Sequence, residues 1–169
     1  MPTIRLSNNE VARGRWLMVW TSAGTFCASV AASILFVVGL IKLISIFGSG
    51  GILNVPDPIF GVSFRSIMVI TGLIEVVSAG ILLFTKNKLF AGSLALSLAL
   101  EFIIYHGFAK VMQPGFYCPC LGSLGQSLGL DQVASTRLAL TIAKFLVVLS
   151  AATIISAWLA RVTGGSKRG

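Results

Sequence analysis

Apolar residues fall into four long runs separated by short polar or Gly/Pro-rich stretches. The runs lie within Trp16–Phe47, Phe64–Thr85, Leu89–Met112 and Val133–Ala160. Each holds the roughly 20 mostly apolar residues that an α-helix needs to cross a bilayer core. The third run alternates over Ser93-Leu-Ala-Leu-Ser-Leu-Ala-Leu100, as a strand would. A strand outside a closed barrel cannot satisfy its backbone in lipid, so helix is expected there too. The first run exceeds one crossing and is too long for a signal-peptide core, which predicts a retained helix that tilts or projects. Within it Gly24, Ala28 and Ala32 recur every four residues, a spacing that lets helices approach closely in lipid.

The stretches between the runs carry their own signals. Gly48, Gly50 and Gly51 end the first helix, and Val55-Pro-Asp-Pro58 imposes an extended, turned loop expected to pack over the bundle mouth. Thr85-Lys-Asn-Lys88 is a tight turn, which makes the second and third spans antiparallel neighbours. Asp131 is placed to cap the fourth span, with Gly129 closing the loop before it. The pattern predicts an all-α fold, an up-down four-helix transmembrane bundle over residues 16–161. Polar segments at 1–15 and 162–169 flank it.

Composition agrees. The 169 residues are 56% hydrophobic and 11% charged, against about 25% charged in an average soluble domain. Arg5, Arg13 and Arg15 precede the first span, Lys86 and Lys88 separate the second and third, and Arg161, Lys167 and Arg168 follow the fourth. Cations gather on the cytoplasmic side of membrane proteins. Both termini are therefore expected there, with the 48–63 and 113–131 loops facing outward, as in a bacterial inner membrane. The net charge of +8 then reads as this orientation signal plus attraction to anionic lipid. No basic patch alternates with aromatics, so nucleic acid is not an expected partner.

Four charges interrupt the apolar spans: Lys42, Glu75, Glu101 and Lys144. Counted from the outer ends, the last three lie about 11 residues, roughly 16 Å, deep. A lone charge near the midplane is costly, so these side chains are expected to face one another. One carboxylate would take Lys144; the other would be protonated or reached by Lys42, which lies nearer the outer face and can snorkel. Such a network either fixes helix register or serves as a proton relay or quinone-headgroup site.

The remaining chemistry is thiol chemistry. Cys118-Pro119-Cys120 sits in a Gly/Pro-rich stretch between the third and fourth spans. A disulfide closed across one residue is a small strained ring, and strain makes it oxidising and labile. Thiol–disulfide exchange, a structural clip or a cross-link between chains, and a metal site all use such a pair. The last needs two further ligands, for which only His106 and Asp131 are candidates, and no metal is expected. His106, the one histidine, lies near enough in the third span to activate a thiol. Cys27 falls about 30 Å below the outer end of the first span and is read as a small apolar residue.

Three stretches carry a resemblance: Gly39-Leu-Ile-Lys-Leu43, Gly72-Leu-Ile-Glu-Val-Val-Ser-Ala-Gly80 and Cys118-Pro-Cys-Leu-Gly122. In them the chain resembles the DoxX-like membrane proteins, in particular their methylamine-utilisation MauE branch. Leu121 stands where that branch more usually has Phe. The resemblance implies a four-helix membrane protein acting with a thioredoxin-like partner to form disulfides in an extracytoplasmic protein. The architecture is also similar to quinone-linked disulfide-generating enzymes of the DsbB and vitamin-K-epoxide-reductase types. Those relay electrons between two outer cysteine pairs, whereas this chain has one, so a relay would need a partner protein.

Overall fold

The computed structural model describes residues 8–48, 51–114, 129 and 131–165. Four helices account for most of them: α1 Asn8–Ser45, α2 Phe64–Phe84, α3 Lys88–Met112 and α4 Gln132–Gly165. A single 3-10 turn, Gly51–Asn54, lies between α1 and α2. Among the described residues there is no strand, only an isolated bridge between Pro56 and Ser63. All four helices are long and apolar enough to cross a membrane, over Met18–Ser45, Phe64–Phe84, Lys88–Met112 and Gln132–Thr163.

The ends follow local chemistry. Asn87 caps α3 by accepting from the Phe90 amide at 3.3 Å. Asp131 caps α4 by accepting from the Ala134 amide at 2.6 Å. Gly129, with φ of 71°, takes the left-handed turn that brings the chain to that cap. α1 starts at Asn8, well before the apolar run, because extending a formed helix through Glu10, Ala12 and Arg13 costs little once it is nucleated.

Small residues decide which helices meet. α1 packs on α2 and on α4, and α4 packs on α3; α2 and α3, though joined by a three-residue turn, touch only slightly. On α1, Ala28 and Ala32 are buried. A Cβ on Gly24 would clash with Ser156 Oγ, so the first member of the expected small-residue stripe is a contact with α4. Gly39 and Gly72 bring α1 and α2 to backbone contact: a Cβ on Gly39 would be 2.9 Å from the Gly72 carbonyl oxygen. On α3 the stripe is Ala91, Ala95 and Ala99, all buried in the main core with Leu35, Leu82 and Leu146. The strand-like alternation of that segment thus reflects a helix whose alanines, four apart, form one face.

Polar residues on α4 are buried without crossing to a neighbour. Ser150 donates to the Leu146 carbonyl, Thr153 to Leu149 and Ser156 to Thr153. Each hydroxyl is satisfied within its own helix, as small hydroxyl side chains can be in lipid.

Candidate functional site

The segment between α1 and α2 is built around one carboxylate. Asp57 is 2% exposed. Its Oδ1 accepts from the amides of Ile59 and Phe60, each at 2.8 Å. Its own amide donates to Val62 O and its carbonyl accepts from Gly61 N. Gly61, with φ of 67°, makes the tight return between those two bonds possible. Pro56 and Pro58 flank the aspartate and restrict the chain on either side of it. The turn carries its acceptor inward, and there Oδ2 accepts the hydroxyl of Tyr105 from α3. Phe60 stacks parallel to the Tyr105 ring at 6.3 Å. The loop does pack onto the bundle as expected; its buried anchor, Asp57, carried no signal beyond lying between two prolines.

From Tyr105 a line of contacts runs into the bundle. His106, buried beside it, meets the Tyr105 ring edge-on at 5.7 Å and the Phe102 ring at 4.4 Å. Its Nδ1 lies 3.1 Å from Phe102 O. The ammonium of Lys42 stands over the Phe102 ring, 5.5 Å from its centre, at cation–π distance. That ammonium also donates to Glu75 Oε1 at 2.5 Å. Both side chains are largely buried, at 6% and 13% exposure. Glu75 Oε2 is buried with no hydrogen-bond partner among the described residues.

Two expectations about these charges change. Lys42 reaches a carboxylate, one of the arrangements expected, but it does so by bending inward rather than snorkelling outward. Gly39 lies against Glu75 and Val76, and Gly72 lies against Leu43, so Ser45 ends α1 roughly five residues, ~7 Å, short of the level of Phe64. Side chains tilt toward the N-terminus of their own helix, which for Lys42 is toward the bundle interior and Glu75. Glu101 and Lys144 do not join this pair. Both are exposed on the outside of α3 and α4, and the Lys42–Glu75 bridge is the ion pair found among the described residues. The four-member network expected from depth is therefore a two-member one. Depth alone does not fix which way a helix face turns.

Breaking a buried pair by removing one partner costs about 3–5 kcal/mol, because the other charge is stranded. Insertion scales put an unpaired charge at the centre of a membrane helix at about 2.5–3.5 kcal/mol. The first figure applies to Lys42–Glu75 and the second to Glu101 and Lys144.

Cys118 and Cys120 lie outside the described residues, so their distance from His106 is not among the contacts above. Cys27 is a free, half-buried thiol in α1. Among the described residues no three of His, Cys, Asp and Glu gather as metal ligands would. At the opposite end of the bundle from Tyr105, a cavity of about 560 Å³ opens between α1, α4 and the α2–α3 turn, lined in part by Trp20, Lys86, Lys88 and Arg161.

No protein-family model matches the chain, and neither the curated proteins nor the solved structures compared with it give a match.

Proposed function

We propose that this four-helix membrane protein carries out thiol–disulfide exchange through Cys118 and Cys120, in the oxidative maturation of an extracytoplasmic protein. The observation that carries the reading is the position of the Cys-Pro-Cys sequence in the connection from α3 to α4, beginning six residues after α3 ends at Met112. The up-down arrangement, with both termini and the Lys86–Lys88 turn cytoplasmic, rests on cation placement. It puts the thiols in the compartment that permits disulfides, the periplasm of a bacterial cell. The likeness to DoxX-like proteins of the MauE branch supports the same reading.

The exchange balances as follows. A thiolate of a thioredoxin-like partner attacks one sulfur of the Cys118–Cys120 disulfide. That S–S bond breaks, a mixed disulfide forms, and the other cysteine leaves as a thiolate. The partner's second thiolate then attacks the mixed disulfide, leaving the partner oxidised by two electrons and the pair as a dithiol. Resetting the pair needs a two-electron acceptor, for which a bilayer quinone is the fitting class. The Lys42 ammonium and the unmet Oε2 of Glu75 offer the donor and acceptor that a quinone or quinol oxygen would use. His106, on the thiol side of the buried pair, would tune the cysteines.

The rival reading is a non-catalytic membrane subunit whose loop disulfide stiffens a docking surface. Redox titration of the purified protein against glutathione, read by gel-shift alkylation, separates the two. An exchange site converts between dithiol and disulfide within the glutathione range, whereas structural disulfides lie below about −300 mV and stay oxidised. Exchange further requires that a Cys120→Ser or Cys118→Ser variant accumulate a mixed disulfide with a partner in native membranes. A pair that stays oxidised throughout, and single-cysteine variants that trap nothing, would leave the structural subunit as the function.

A further inference from the structure

Glu101 and Lys144 are exposed on neighbouring helices, carry opposite charges and meet no counter-ion among the described residues. Each lies deep within its span. Glu101 is 13 residues from the start of α3 and 11 from its end, and Lys144 is 12 residues from the start of α4. At about 1.5 Å per residue neither side chain can reach the headgroups at either end.

They also lie at one depth. A Cβ on Gly92 would touch Ser150 O and Ile154, while Phe102 and Tyr105 pack on Ala139. Positions rising along α3 therefore meet positions falling along α4. That register sets Glu101 opposite residues 142 to 143 of α4, within about 3 Å of the level of Lys144.

We infer that the outer face of α3 and α4 is an interface for a second copy of this chain, in which Glu101 of each copy pairs with Lys144 of the other. A twofold axis along the membrane normal carries every residue to the same depth in the partner. A charged group can then be met only by an opposite charge at its own level, and Glu101 and Lys144 satisfy that condition. One closed, self-complementary contact forms both ion pairs at once and removes both charges from lipid. The flanking surface suits helix packing: Ile104 and Phe108 on α3, and Phe145 and Val148 on α4, are all more than half exposed. The inference concerns association in the membrane and stands whether or not the thiols exchange.

The test uses the full chain carrying either of two fluorescent tags, reconstituted into phosphatidylcholine vesicles, with energy transfer read as the protein is diluted in lipid. Wild-type copies associate. Glu101→Lys, which carries two cations on this face, associates with itself at least tenfold more weakly, and so does Lys144→Glu, which carries two anions. Mixed together, these two variants restore association to within about threefold of wild type, because each cation then faces an anion. Helical circular dichroism checks that both variants are folded. If either reversal fails to fold, Glu101→Gln and Lys144→Met replace them, and each is expected to weaken association about tenfold. The inference is overturned if wild-type copies do not associate at any dilution, if Glu101→Lys or the neutral variants associate as wild type does, or if the folded reversal variants fail to rescue one another. Capture of a different membrane protein through Lys144, with no association between copies, would likewise overturn the choice of a second copy.

Discussion

Tyr105 donates its hydroxyl to Asp57 across 48 residues of sequence, joining α3 to the middle of the α1–α2 connection. That bond supplies Oδ2 of a buried carboxylate whose other oxygen is already held by two amides. Tyr105→Phe keeps the ring and its stacking on Phe60 but strands the oxygen. A buried acceptor left unmet costs about 1–3 kcal/mol, with charged groups at the upper end. We expect detergent-solubilised Tyr105→Phe to melt several degrees below wild type. Adding Asp57→Asn, which removes the charge, should recover part of that loss. An unchanged melting temperature for Tyr105→Phe would show that the tie contributes nothing to stability.

The Lys42–Glu75 pair makes a second, sharper expectation. Lys42→Met strands the Glu75 carboxylate and should destabilise the protein by about 3 kcal/mol or more. Lys42→Met with Glu75→Gln should be more stable than Lys42→Met alone, since no charge is left behind. Lys144→Met should leave the unfolding of a single chain close to wild type, because Lys144 is exposed and bridges nothing among the described residues. Thermal unfolding of the three variants and wild type in detergent gives the comparison, and equal losses for Lys42→Met and Lys144→Met would contradict it.

Glycine substitutions test the helix contacts. A Cβ at Gly39 would sit 2.9 Å from both the Gly72 carbonyl oxygen and Val76 Cγ2, so Gly39→Ala must push α1 and α2 apart. Overpacking of this kind costs about 1–3 kcal/mol. Gly80 meets nothing within 4 Å, and Gly80→Ala should be neutral or slightly stabilising. The two melting temperatures should therefore move differently, and parallel behaviour would be inconsistent with the α1–α2 approach.

Orientation can be read from the thiols. A membrane-impermeant maleimide applied to intact cells after reduction should label Cys118 and Cys120 and spare Cys27. Labelling of Cys27 alone would invert the proposed topology and put the pair in a reducing compartment.

Much of the bundle was legible in the chain because span length, caps and small-residue spacing are local properties. The Asp131 cap, the Asn87 turn and the Gly24–Ala28–Ala32 face needed only neighbouring residues to be recognised. That Lys42 can reach a buried carboxylate was legible, but which carboxylate it takes was not. Counting depth assumed that all helices end at one height, yet α1 stops short of α2 and Lys42 reaches inward. Asp57 was missed for a related reason: a lone acid between two prolines looks like a solvated turn until α3 brings Tyr105 to it. The outward turn of Glu101 and Lys144 depends on which alanine faces pack, a choice made by all four helices together.

The contact between α1 and α4 has a mechanical consequence. Gly24 offers Ser156 of α4 no side chain to meet, and Thr153 and Ser156 direct their hydroxyls to carbonyls of α4 itself. Many weak dispersion contacts hold this end of the joint closed, while Leu35 of α1 and Leu146 of α4 are buried together further along it. Around Gly24, pulling the two apart is therefore opposed more strongly than gliding one along the other. Displacement at this end should take the form of axial shear, with the Asp57–Tyr105 tie, which joins the α1–α2 connection to α3, setting how far it can run.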